Sequence, residues 1–86
     1  MDVLVKAIDT YGENKQLDMC IEEMSELIKE ICKRKRGFSN KAEITEEIAD
    51  VYITLEQLKL ICRIEQTAVS NEITRKLNRL TERLRM

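Results

Sequence analysis

Apolar side chains recur along this chain at spacings of three and four, the period of amphipathic helices rather than strands. Val3, Leu4, Ala7 and Ile8 outline a short first helix over residues 2–11, and Gly12 ends it. Leu17, Cys20, Ile21, Met24, Leu27, Ile28 and Ile31 predict a long second helix over residues 14–36. Lys33, Arg34, Lys35 and Arg36 fall in its last turn, where they complement the helix dipole, and Gly37 stops it. Phe38, Ser39 and Asn40 form the connection, with Ser39 or Asn40 placed to cap the next helix. The third helix spans residues 41–63, with Ile44, Ile48, Val51, Leu55, Leu58 and Cys62 as its main stripe. A second strip, Ala49, Ile53 and Leu60, lies nearly opposite. A helix apolar on two sides is central in a bundle or part of a subunit boundary, and so short a chain favours the boundary. The fourth helix covers residues 70–85, with Ile73, Leu77, Leu80 and Leu84 expected inward. The pattern contains no repeat or low-complexity tract.

Composition agrees with this all-α reading. The chain of 86 residues is 43% hydrophobic and 36% charged, has no Pro, and has only Gly12 and Gly37 as glycines. It forms one domain over residues 1–86. A domain this small buries only about 60–65% of the surface its unfolded chain exposes, so self-association is expected.

The net charge of −1 hides an asymmetry: residues 1–50 hold 12 acidic and 8 basic side chains, residues 51–86 hold 4 and 7. An acidic first part suits a cation and a basic tail suits an anion, although helical surfaces are ordinarily charged. Cys20, Cys32 and Cys62 are odd in number and widely spaced, and each falls in or beside an apolar stripe. They read as small core residues, not bridges or ligands. With no signal peptide and no apolar run long enough to span a membrane, a reduced, cytoplasmic setting is expected. The chain has no His, which excludes most zinc sites and Glu-x-x-His di-iron bundles. Any metal must be held by oxygen.

Two acidic clusters supply that oxygen. The second helix holds Glu22, Glu23, Glu26 and Glu30; the third holds Glu43, Glu46, Glu47 and Asp50. At about 100° per residue, Glu23, Glu26 and Glu30 lie within roughly 60° of one another beside the apolar stripe. Glu47 and Asp50 sit one turn apart at the edge of the other stripe. In an antiparallel hairpin the two sets can face one another, and residues three apart stand about 5–6 Å apart at Cβ. Carboxylates crowded at such a seam repel one another unless protonated or bridged by a hard cation. On spacing alone, a solvated acidic face explains them as well.

Glu22-Glu23-Met24-Ser25-Glu26, followed by Glu47-Ile48-Ala49-Asp50, resembles the EExxE…ExxD signature of the MazG-like nucleoside triphosphate pyrophosphohydrolases, all-α enzymes. The similarity extends over residues 13–85, taking in the stretch Gln16 to Leu27, the basic helix end before Gly37, and Glu46 to Leu58. These stretches resemble small members, often found in phage and Gram-positive bacterial genomes.

The resemblance implies a four-helix MazG-like bundle in which two long antiparallel helices carry the metal site of a homodimer or homotetramer. Glu23, Glu26, Glu47 and Asp50 would be both the catalytic set and the ligands of Mg2+, with Mn2+ as a substitute, and Glu22 would support them. Lys76 and Arg79 match the region that offers cations to the triphosphate, against an equally plain reading as exposed helix charges. The implied reaction converts a (deoxy)nucleoside triphosphate to the monophosphate and pyrophosphate, a house-cleaning of the nucleotide pool. Members selective for pyrimidines often hold the base against Trp; here only Tyr11, Phe38 and Tyr52 could stack, and Tyr52 or Phe38 could line a pocket, although each of these two reads more readily as core or loop plug. The competing class is a non-enzymatic helical oligomerisation module docking through Ala49, Ile53 and Leu60. Nucleic-acid binding through Lys33–Arg36 and the tail is the weaker alternative, since the dipole already explains that run and the chain is not basic overall. No membrane partner is expected.

Overall fold

The computed structural model describes residues 2–85 as four helices: α1 (Asp2–Tyr11), α2 (Glu13–Lys35), α3 (Lys41–Cys62) and α4 (Gln66–Leu84). No strand is present among the described residues. The expected elements are all there. Gly12 adopts φ +90°, a region open to glycine, and separates α1 from α2. The end of α2 is a Schellman turn: Gly37, at φ +95°, donates its N–H to the Arg34 carbonyl, and Phe38 donates to that of Lys33. The same 6→1 bond closes α3, from Ile64 to Lys59, but a non-glycine residue, Arg63, takes the left-handed position at φ +56°. α4 starts at Gln66 rather than Ser70. The Lys59 ammonium donates to Gln66 Oε1, and Gln66 Nε2 donates to Ser70 Oγ, so a polar link fixes that start.

Packing centres on α2 against α3 in antiparallel register. Gln57 Nε2 donates to Gln16 Oε1 at 2.5 Å, the Cys20 thiol donates to the Thr54 carbonyl at 3.6 Å, and Asn40 reaches Glu30 at the far end. The paired positions rise on one helix as they fall on the other. α1 packs across both helices and buries Leu4.

This seam corrects the predicted core. Its buried side chains are Gln16, Cys20, Glu30, Asn40, Thr54 and Gln57, mostly polar. Of the predicted stripes, Leu17, Met24, Leu27, Ile44, Val51 and Leu58 are half-buried, while Ile21, Ile28, Ile31, Ile48 and Leu55 are exposed. Cys20 is the small core residue expected; Cys32 and Cys62 are exposed. Asn40 takes the N-cap position of α3, yet neither it nor Ser39 caps through its side chain. The Asn40 amide instead donates to the carbonyl and to Oε1 of Glu30, both at 2.9 Å.

α4 departs furthest from expectation. Ile73, Leu77, Leu80 and Leu84 face outward, with Leu84 78% exposed, because α4 touches the rest of the chain only near its start. The radius of gyration is 16.0 Å, against about 12 Å for a compact chain of this length. Intrahelical pairs, Glu72 with Arg75 and Glu82 with Arg85, support the helix.

Candidate metal centre

Midway along the seam the polar pairs become acidic. Glu23 of α2 stands opposite Glu47 and Asp50 of α3, and one carboxylate oxygen from each lies within 4.8 Å of the others. The register explains this convergence: Glu23 follows Cys20 by three residues, and Asp50 precedes Thr54 by four, so both extend the Cys20–Thr54 contact by one turn. Glu47 lies one turn further on, beside Glu26.

The electrostatics follow from the crowding. Glu23 binds its proton more tightly than a free glutamate. Desolvation is the main cause, then the charge of Asp50, which also lies within hydrogen-bonding reach, then Glu47 and Glu22. Glu47 is shifted in the same direction by desolvation, then by Asp50, Glu26, Glu30 and Glu46. Its Oε2 is buried with no hydrogen-bond partner. Glu30 moves the opposite way, held ionised chiefly by the Asn40 amide and then by Lys33, whose ammonium lies 3.3 Å from Oε2. Three converging carboxylates, oxygen-only donors and an orphaned buried oxygen fit a hard divalent cation, which would satisfy Glu47 Oε2 and relieve the repulsion together.

Of the four carboxylates the sequence singles out, the structure brings Glu23, Glu47 and Asp50 together. Glu26 is exposed beside Glu47, and Glu22 is exposed beside Glu23; each adds charge without joining the tight group. Lys76 and Arg79 lie exposed on α4, and neither is among the charges acting on Glu23 or Glu47. Lys76 acts instead on Glu72 of its own helix. Phe38 and Tyr52 are exposed rather than core, and Tyr11 is exposed as well, with Lys15 over the Tyr11 ring and Arg36 over that of Phe38.

Sequence reasoning missed the Asn40–Glu30–Lys33 unit and the Gln16–Gln57 pair that flank the acidic layer. The three-and-four spacing of Gln16, Cys20, Glu23 and Glu30 was legible, but a polar residue on such a face is ordinarily assigned to solvent. No family model, curated protein or solved structure matches this chain.

Proposed function

We propose that this protein is a magnesium-dependent nucleoside triphosphate pyrophosphohydrolase of the MazG-like kind. The observation that carries the reading is the convergence of Glu23, Glu47 and Asp50 across the α2–α3 seam, in the order of the two-part carboxylate motif. Glu23, Glu47 and Asp50, with Glu26 beside them, would hold Mg2+, and Mn2+ would substitute. When bound, the cation neutralises triphosphate charge at the site of attack. The chain's residues then have two tasks. The seam fixes the carboxylates against each other before substrate arrives, which limits reorganisation during reaction. A carboxylate of the cluster that the cation leaves free can take the proton from the attacking water. Water adds at the α-phosphorus, the bond to the bridging oxygen breaks, and monophosphate and pyrophosphate leave. No protein nucleophile is required, in keeping with a chain that lacks His.

The unpacked α4 and the outward apolar positions of α2 and α3 support assembly as a homodimer or homotetramer. They equally favour the second reading, a helical oligomerisation module without activity. Product analysis separates the two: purified protein with magnesium releases equal amounts of monophosphate and pyrophosphate, and Glu26→Gln removes that release while the fold is kept. Orthophosphate as the product would move the cleavage site. Absence of both products from every common nucleotide would leave the module reading.

A further inference from the structure

We infer that the nucleotide lies along the α2–α3 seam in one direction, with its outer phosphates at Lys33 and its nucleoside beside Met19 and Gln57. This inference rests on the pyrophosphohydrolase reading and deepens it by giving the site a polarity and a phosphate-binding residue. Three layers follow one another along the seam. At one end Gln16, Met19, Ile53, Thr54 and Gln57 line a shallow depression that opens onto Glu23 and Asp50. The acidic layer comes next, and beyond it Glu30 and Lys33.

On α2, Lys33 follows Glu26 by seven residues, so the two lie within about 20° of a common line beside the seam. Lys33 is about 10 Å beyond Glu26 along the axis, but helical side chains lean toward the N-terminus, which carries its ammonium back toward the acidic layer. The 3.3 Å contact with Glu30, three residues earlier, shows that lean. The lysine is also held there: Asn40, 5% exposed, donates to Glu30 Oε1, and Glu30 Oε2 receives Lys33. A ligand spanning both layers carries a metal-binding phosphate with further anionic groups on one side only. The opposite side offers Met19 as exposed apolar surface, which suits a base and sugar. Lys76 and Arg79 have no such relation to the acidic layer within the chain.

Calorimetric titration with the two products, inorganic pyrophosphate and a nucleoside monophosphate, each at saturating magnesium, tests the polarity. Lys33→Ala should weaken pyrophosphate binding by about 10-fold or more, the worth of one charge-assisted contact, and leave monophosphate binding unchanged. Lys33→Arg should restore it, and Lys76→Ala should bind pyrophosphate as the parent does. Met19→Ala should weaken the monophosphate by roughly threefold or more, the worth of about 30 Å2 of apolar contact, and spare pyrophosphate. Unchanged pyrophosphate binding in Lys33→Ala, the reverse pairing of variants with products, or a parent that binds no pyrophosphate overturns the inference. Turnover of the parent is measured separately. An active parent with pyrophosphate binding indifferent to Lys33 sinks only the polarity; an inactive parent that binds pyrophosphate through Lys33 sinks only the hydrolase reading.

Discussion

The buried Gln16–Gln57 pair fixes the register on which the carboxylate site depends, and a double-mutant cycle reads its coupling. Gln57 Nε2 donates to Gln16 Oε1 at 2.5 Å, and the two side chains are 8% and 6% exposed. Replacing either by Leu leaves the other amide buried without its partner, which costs about 1–3 kcal/mol. In a domain of this size each kcal/mol lowers the midpoint of thermal unfolding by about 4–8 °C. Replacing both removes two polar groups and leaves two leucines facing each other, so the double variant should recover most of the loss. Urea denaturation of the four proteins at one fixed concentration should give a coupling of at least about 1 kcal/mol. Single losses that add to within about 0.5 kcal/mol would mean that the residues do not meet, and the α2–α3 register would fall with them.

Magnesium should raise the melting temperature of the parent, and Glu47→Gln or Asp50→Asn should abolish the response; a response kept in both would refute the metal assignment. Metal-free Glu47→Gln should be no less stable than the parent at neutral pH. Burial and neighbouring carboxylates raise the Glu47 carboxyl above its ordinary 4.5, so its ionisation favours the unfolded chain as pH rises through that window. The variant's advantage should therefore shrink on acidification and vanish below about pH 4.5, which denaturation at several pH values checks. Ile53→Glu should dissociate the assembly, while a folded monomeric parent in light scattering would remove the basis for one. Arg63→Gly, which relieves the left-handed position at the end of α3, should stabilise the protein by up to about 1 kcal/mol in thermal unfolding.

The helices were legible because apolar period, breakers and terminal charge agree over α1 to α3, and Gly12 and Gly37 end segments where they were expected to. The pairing of Glu23 with Glu47 and Asp50 was legible from three-residue spacing and an antiparallel hairpin. The composition of the seam was not. Periodicity marks a face without saying whether it turns toward a neighbour in the same chain or toward something outside it. The face with Ile21 and Ile28 satisfies the helical period as well as the face with Gln16, Cys20 and Glu23, and the latter meets α3. The same ambiguity sent the α4 stripe inward on paper, whereas the three residues between Cys62 and Gln66 lead α4 away. Asn40 read as a cap because Asn ordinarily caps, but a buried carboxylate and carbonyl of Glu30 stand within its reach and compete successfully for its amide.

Hydrolysis in water labelled with heavy oxygen, followed by mass spectrometry of the products, shows which phosphorus the water attacks. Attack at the α-phosphorus places the label in the nucleoside monophosphate and none in pyrophosphate, with magnesium required and Glu26→Gln inactive. Label in pyrophosphate or orthophosphate, or release that persists without a divalent cation, would rule out metal-dependent pyrophosphohydrolysis.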